Sequence, residues 1–341
     1  MTKLQDPDRI YTLDNARGIG MLLIVLGHAP SVDIWLQTFV YSFHVPLFFF
    51  VSGMLISEVK LRAEFPDFLK YYSLKLIWPY AFFFMVSYVY WIFSRNIGSR
   101  ADQFTSYNLY DPILGFFYAS GDYLYVNVAL WFFPCLFVAL ILFYLANLIF
   151  SKWNLVAAFF LSICFVFLYD SSLSVPFCLD NAAVALFFVC LGYFLKERAV
   201  KFFQESSAFV LIFIACSAAA LLSYICLING RVDLNGMSFG NYGALYYCSS
   251  LLGIFLVLAL SRLIGKSQLL SWIATHNIFI FPLHGIFFGV ITGFFVVFMG
   301  FDIGFKNESV YYSYFYSILS IVMTYFFIGG LKIMNLNGVI R

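Results

Sequence analysis

The chain has 341 residues, of which 63% are hydrophobic, 22% are aromatic and only 11% are charged. A soluble domain carries about 25% charged residues because its surface must be polar, so this composition excludes a soluble protein and indicates one that lies mostly in a bilayer. The formal net charge of +2 is too small to indicate a nucleic-acid partner. The seven cysteines include no CxxC pair and predict small core residues, not a metal framework.

Apolar windows long enough to cross a bilayer recur along the whole chain. A hydrocarbon core about 30 Å thick is crossed by about 20 mostly apolar residues in one helix. The sequence therefore predicts an all-α, polytopic membrane helix bundle of about ten transmembrane helices in a single domain over residues 1–341. In chain order the predicted helices cover residues 13–33, 37–57, 71–93, 127–149, 153–169, 180–196, 207–228, 242–262, 270–293 and 311–334.

Basic residues alternate between the two faces of this predicted bundle. With the N-terminus in the cytoplasm, 15 of the 19 Lys and Arg residues fall on the cytoplasmic side, as the positive-inside rule requires. The sequence thus predicts a multi-pass protein of the plasma (inner) membrane, surrounded by lipid, with both termini in the cytoplasm. The four external cations are Arg95, Arg100, Arg231 and Lys306, and the cytoplasmic ones are Lys3, Arg9, Arg17, Lys60, Arg62, Lys70, Lys75, Lys152, Lys196, Arg198, Lys201, Arg262, Lys266, Lys332 and Arg341.

Ionisable side chains inside predicted spans point to function, because each costs roughly 2.5 to 3.5 kcal/mol to insert. Arg17 and His28 share one face of the first helix, with His28 about 16 Å further from the cytoplasm. His28, His44 and His284 are predicted to lie at one depth, about 20 Å from the cytoplasmic helix ends. A lone buried histidine often serves only to bind a neighbouring helix. Zinc is a rival explanation, but no carboxylate or cysteine is spaced to complete its shell, so we expect no metal.

Several segments resemble the blocks that define the acyltransferase 3 family of membrane proteins. The first is the run from Leu13-Asp14-Asn15-Ala16-Arg17-Gly18 to Gly27-His28, an Arg and a His with ten residues between them. The resemblance is greatest to the fucose 4-O-acetylase branch, which implies acetyl-CoA as acyl donor and, as acceptor, a hydroxyl of a surface polysaccharide or a lipid-linked glycan precursor. The other matching segments are Tyr41–Gly53, Ala129–Phe133, Gly192-Tyr193 and Asn277–His284.

Such a reaction needs a base at the acceptor hydroxyl and cationic side chains that bind coenzyme A. Burial favours a neutral imidazole at His28, which we predict to be the base, with His44 and His284 orienting groups or donating to the oxyanion. Arg17, oriented by Asp14, is predicted to bind a phosphate of coenzyme A. The alternative is that Asp14 and Arg17 form a surface ion pair and that the charge of Arg17 only follows the positive-inside rule.

Lys75 is predicted to add a second cation to this site, because it lies inside the entrance of the third span. Relatives commonly carry Arg at this position. An ammonium binds phosphate as a point charge and not bidentately, so the resemblance does not extend to that contact.

The acceptor sugar is predicted to lie against an aromatic face with flanking polar side chains. The external ends of the fourth and sixth spans offer Asn127, Trp131, Asp180 and Asn181 for this purpose. The alternative is that Trp131 belongs to the interfacial aromatic belt and that Asp180 and Asn181 cap a helix.

Two other functions stay open at the level of sequence. Ten spans with a polar midplane would also suit a transporter or flippase of a glycan or acyl intermediate, although no inverted repeat is visible. A structural role beside polysaccharide assembly partners is the second, but such a role does not require a layer of histidines.

Overall fold

The computed structural model describes residues 7–96, 104, 106–120, 123–150, 153–168 and 175–333. These residues form helices and turns, with one isolated bridge between Asp233 and Ser238, so the predicted all-α class is confirmed. Within the described part, eight helices are long and apolar enough to cross a membrane, and the protein is a multi-pass membrane protein. They are Ile34–Leu55, Phe65–Ser94, Val128–Phe150, Pro176–Glu205, Ala208–Asn229, Gly243–Ile264, Asn277–Met299 and Tyr311–Ile333.

The first helix, α1, covers Pro7–His28 and not the predicted 13–33. It ends at His28 because Pro30 follows and Ser31 has a φ of 55°, which no helix continues. His28 therefore stands at a helix end and not in mid-span. The helix is too polar to count among the eight spans, so the number ten stays a prediction.

The second predicted span consists of two helices, α2 (Ile34–Tyr41) and α3 (His44–Leu55). Pro46 explains the break, since it has no N–H to donate to the carbonyl of Ser42, four residues earlier. The Ser250 hydroxyl donates to that freed carbonyl at 3.0 Å. The break places His44 at the first position of α3.

The third predicted span begins earlier than expected and contains a wide turn. After the short helix α4 (Glu58–Leu61), α5 (Phe65–Tyr72) leads through a π-helical turn at Ser73–Ile77 into α6 (Trp78–Ser94). Pro79 cannot donate to the carbonyl of Lys75 and its ring would clash with it, which the wider turn relieves. Lys75 lies in this turn.

The remaining helices follow the predicted order with two differences. The sixth predicted span extends to Glu205, and the ninth is broken at His276. The helices are α7 (Asp111–Tyr118), α8 (Phe132–Phe150), α9 (Asn154–Leu168), α10 (Leu179–Glu205), α11 (Ala208–Asn229), α12 (Gly243–Ile264), α13 (Gln268–Thr275), α14 (Asn277–Met299) and α15 (Tyr311–Ile333), with 3-10 turns at Val128–Trp131, Pro176–Cys178 and Ile303–Asn307.

Close packing around α1 and α3 forms the centre of the bundle. A Cβ on Gly53 of α3 would lie 2.1 Å from the Val189 carbonyl oxygen, and one on Gly192 of α10 would lie 2.0 Å from that of Phe50. Small residues at a membrane helix crossing permit this approach. Helix α1 packs against α12 and α13, and its Asn15 amide donates to the Ser261 carbonyl at 3.0 Å.

The predicted orientation has a direct test. Reporter fusions ending after Lys60, Lys201 and Lys266 should give cytoplasmic signals, because these residues lie in basic segments. Fusions after Arg231 and Lys306 serve as controls and should read external. One clear external signal among the first three would contradict the orientation. Lys3, Arg100, Lys152 and Arg341 also belong to the predicted charge pattern but lie outside the described residues.

Candidate active site

A cavity of about 510 Å³ follows α1 through the interior of the bundle. Its lining includes Arg17 and Lys75 at one end and His28 and His44 further in. The cavity continues past the histidines to Asp233, in the loop between α11 and α12. With Trp131, five of the predicted site residues thus line one continuous space.

Cations surround the end of the cavity at Arg17. The Arg17 Nη1 lies 3.4 Å from Asp14 Oδ1, and each side chain is 26% exposed, so the predicted pair is present. The Lys60 ammonium lies 3.5 Å from the centre of the Tyr71 ring, and that of Lys75 lies 5.6 Å from it. Both lysines and Tyr71 line the cavity. This end therefore suits an anionic ligand that also carries a flat ring.

A polar cluster anchors the short helix that carries Lys60. The Tyr193 hydroxyl donates to the Glu58 carboxylate at 2.8 Å, and the Lys196 ammonium lies 3.5 Å from the same oxygen. The Tyr193 hydrogen bond, followed by the charges of Lys196 and Arg62, lowers the pKa of Glu58. Glu58 stays ionised near neutral pH and ties α4 to α10, which positions Lys60 at the cavity mouth.

The three predicted histidines form one layer. The ring centre of His28 lies 5.3 Å from that of His284 and 6.2 Å from that of His44. Each Nδ1 lies within hydrogen-bond distance of a backbone carbonyl, at 2.8 Å from Ile24 for His28, 2.8 Å from Val40 for His44 and 2.5 Å from Phe281 for His284. A carbonyl oxygen only accepts, so each Nδ1 carries the hydrogen and each neutral ring keeps a lone pair on Nε2.

His28 differs from the other two histidines in its exposure. His44 and His284 are 3% and 2% exposed, whereas His28 is exposed to the internal space and lines both large cavities. The second cavity, of about 680 Å³, also meets the first at Val128 and Ala129. It opens at the surface past Phe298, which is 79% exposed. His28 is therefore the histidine that a ligand can reach from either cavity.

Tyr41 and Arg231 also lie near the histidine layer, although the sequence did not indicate either as a site residue. The Tyr41 ring centre lies 5.5 Å from that of His28 and 4.9 Å from that of His44. The Arg231 guanidinium carbon lies 4.6 Å from the Tyr41 ring centre, and its Nη1 donates to Gln37 Oε1 at 3.3 Å. Tyr41 was inside a recognised motif, but nothing local showed that Arg231 reaches the same layer.

The residues predicted to bind the acceptor sugar do not line one common cavity. Trp131 lines the first cavity and Asn127 the second. The Asn127 amide donates to the Pro282 carbonyl at 2.8 Å and to Ser87 Oγ at 2.9 Å, so it braces α14 two residues before His284.

Asp180 and Asn181 line neither cavity and are 6% and 1% exposed. The Asp180 carboxylate accepts from the Asn181 backbone N–H at 2.8 Å. The Asn181 amide donates to the backbone carbonyls of Leu234 (2.5 Å) and Asn235 (3.2 Å). Asn181 thus holds the loop between α11 and α12 in place beside the first cavity.

The described helices form a membrane bundle with an internal cavity beside a layer of three histidines. The family model described as an acyltransferase domain, of the acyltransferase 3 type, matches residues 10–329. The chain belongs to this family and is an acyltransferase.

One curated relative shows a short stretch of similarity. Nodulation protein NolL of Sinorhizobium fredii (strain NBRC 101917 / NGR234) is 38% identical over 68 residues, a region that covers 17% of this chain and 19% of that protein. The chain thus matches only about a fifth of the length of this relative. No solved structure shows significant similarity to the chain.

Proposed function

We propose that the protein is an O-acetyltransferase of the plasma (inner) membrane that moves the acetyl group of acetyl-CoA to a carbohydrate hydroxyl. The acceptor is a surface polysaccharide or a lipid-linked precursor, and polysaccharide assembly proteins are the expected partners. The observation that carries the proposal is His28, exposed where two cavities meet, one of which has cations at its far end. The chain acts as one integral membrane domain.

Acetyl-CoA enters the first cavity from the Arg17 end. Its phosphates bind Arg17, Lys60 and Lys75, and Tyr71 offers a ring for the adenine. Arg17 and His28 are eleven residues apart on one helix, about 16 Å along its axis, so a long and narrow donor bound at Arg17 can place its thioester near His28.

The reaction needs one proton acceptor, and His28 provides it. Its Nε2 accepts the proton of the acceptor hydroxyl while the hydroxyl oxygen forms a bond to the thioester carbonyl carbon. The tetrahedral oxyanion collapses with cleavage of the C–S bond, and the coenzyme A thiolate leaves with the proton that His28 returns. Acceptor and donor thus exchange one acetyl group and one proton.

Tyr41 is the best donor for the oxyanion. Its ring lies 5.5 Å from that of His28 and against the guanidinium of Arg231, and a tyrosine hydroxyl can donate a hydrogen bond. His44 and His284 have their hydrogen on Nδ1, bonded to the backbone, and in the neutral form they cannot donate from Nε2. We therefore assign them the orientation of His28 and the stabilisation of its imidazolium.

Release of free coenzyme A tests the proposal. Purified protein in detergent should release it from acetyl-CoA at a rate that rises when glycan from the source organism, extracted from cells lacking the gene, is added. A rate of coenzyme A release that does not depend on the glycan, or no release at all, would contradict the proposed acceptor class.

Arg17→Ala tests the donor site. A charge-assisted hydrogen bond contributes about 1.5 to 3 kcal/mol, so the Kd for acetyl-CoA should rise about 10- to 100-fold. Isothermal titration calorimetry with acetyl-CoA measures this directly. Arg62→Ala is the matched control, since Arg62 is 82% exposed, pairs with Glu58 and does not line the cavity. An unchanged Kd in folded Arg17→Ala protein would exclude the phosphate contact.

A further inference from the structure

The loop between α11 and α12 brings three polar side chains to the first cavity. Arg231, Asp233, Leu234 and Asn235 line the cavity, whereas Val232 is 1% exposed and packs in the core. Polar side chains therefore predominate on this edge of the cavity.

The loop holds its shape through other contacts. Asp233 and Ser238 exchange two backbone hydrogen bonds, of 2.8 and 2.9 Å. The Asn229 amide donates to the Phe239 carbonyl at 3.0 Å, and the Asn181 amide donates to the Leu234 carbonyl. Asp233 Oδ1 also accepts from the Asn235 backbone N–H at 3.1 Å, and Arg231 Nη1 donates to Gln37 at 3.3 Å, so each of these two side chains has a structural contact and also lines the cavity.

Asn235 carries an unmet hydrogen-bonding group. Its Oδ1 is buried and has no hydrogen-bond partner among the described residues, although the side chain lines the cavity. A buried polar atom without a partner is destabilising and therefore uncommon in folded proteins. This oxygen has no exposed surface, so a hydroxyl group in the cavity would reach it only after rotation of the Asn235 side chain.

The three side chains together match a neutral sugar. Arg231 donates hydrogen bonds, Asp233 accepts them and the Asn235 amide has both capacities, which suits hydroxyl groups that do both. One positive and one negative charge cancel, so the set does not favour an anionic ligand. Arg231 and Asp233 form no ion pair with each other in the described part of the chain.

Resting on the function proposed above, we propose that Arg231, Asp233 and Asn235 bind the ring hydroxyls of the acceptor and select a neutral sugar. Arg231 also contacts Tyr41, whose ring lies 5.5 Å from that of His28, so a sugar on this edge is held beside the base. The three residues are positioning and specificity residues, and the loop that carries them is the acceptor-recognition loop.

The test compares acceptor and donor dependence in purified protein with labelled acetyl-CoA and the glycan extract as probe. Asn235→Ala and Asp233→Asn should raise the glycan concentration for half-maximal transfer about tenfold or more, because each removes a partner of a buried hydroxyl. The half-saturating acetyl-CoA concentration should stay unchanged. Asp233→Asn keeps the oxygen that accepts from the Asn235 backbone N–H at 3.1 Å.

Ser238→Ala is the matched control, since Ser238 lies in the same loop, is exposed and does not line the cavity. If Asn235→Ala fails to fold, Asn235→Leu, which has a similar shape and no polar side-chain atom, replaces it and is expected to give the same shift. Folded variants with unchanged glycan dependence would overturn the loop assignment and leave the proposed function intact. A loss of acetyl-CoA binding in them would assign the loop to the donor and also overturn it. A wild-type protein that labels no glycan would instead refute the acceptor class itself.

Discussion

His28→Ala should lower the rate of acetyl transfer about 10²- to 10⁴-fold while the protein still folds and binds acetyl-CoA. The reason is that His28 is the histidine exposed to both cavities, and its Nε2 is left free by the bond from Nδ1 to Ile24. Because the side chain faces open space, its removal leaves no close packing unfilled. Transfer rate and acetyl-CoA binding are measured on the same purified sample.

His276→Ala is the matched control for this prediction. His276 makes the same kind of bond, from Nδ1 to the Trp272 carbonyl at 2.8 Å, but lines neither cavity. Its variant should keep normal transfer per folded molecule. More than about a tenth of wild-type turnover in folded His28→Ala protein would show that the base lies elsewhere.

A trapping experiment separates direct transfer from an acyl-enzyme. Labelled acetyl-CoA without acceptor should leave no label on the protein if the acceptor hydroxyl attacks the thioester directly. Label at His28 would instead establish an acetyl-imidazole intermediate. Direct transfer is expected, because a donor bound at Arg17 and a sugar bound at Asp233 would both reach His28 within the first cavity.

Gly192→Ala should prevent normal folding. The added Cβ would lie 2.0 Å from the Phe50 carbonyl oxygen and 3.1 Å from its Cα, and backbone atoms at a helix crossing cannot move aside separately. Overpacking costs typically about 1 to 3 kcal/mol even where side chains can adjust, so this substitution should cost at least that much. Folded yield and Tm in detergent both report the loss.

Gly329→Ala provides the comparison, because a Cβ there meets nothing within 4 Å. It should have a near-normal Tm and yield. A Gly192→Ala protein with the same Tm as Gly329→Ala would mean that α3 and α10 are further apart than the structure places them.

The helical pattern was predictable because lipid imposes it. Spans of apolar residues are continuous in sequence, and the predicted 207–228 and 311–334 differ from Ala208–Asn229 and Tyr311–Ile333 by one residue at most. The breaks in the second and third spans were not predicted, although Pro46 and Pro79 mark both. Hydropathy windows ignore the backbone donor that each proline lacks, and so they join helices that are separate or distorted.

The histidine layer was predictable for a similar reason. Three ionisable side chains at one predicted depth in apolar helices have few explanations, and their ring centres do lie within 5.3 and 6.2 Å of that of His28. The loop residues Arg231 and Asn235 were not predicted, because their place depends on packing between segments about 190 residues apart. Asn181 shows the same limit, since only its contacts with Leu234 and Asn235, distant in sequence, reveal that it holds this loop in place.

A sided transfer assay tests whether donor and acceptor reach His28 from opposite ends of the bundle. Inverted membrane vesicles, with the cytoplasmic face outside, are loaded with the glycan extract and receive labelled acetyl-CoA externally. We expect labelled glycan inside sealed vesicles, and none with the His28→Ala protein. Label that appears only when the glycan is on the same side as acetyl-CoA would contradict entry from opposite ends.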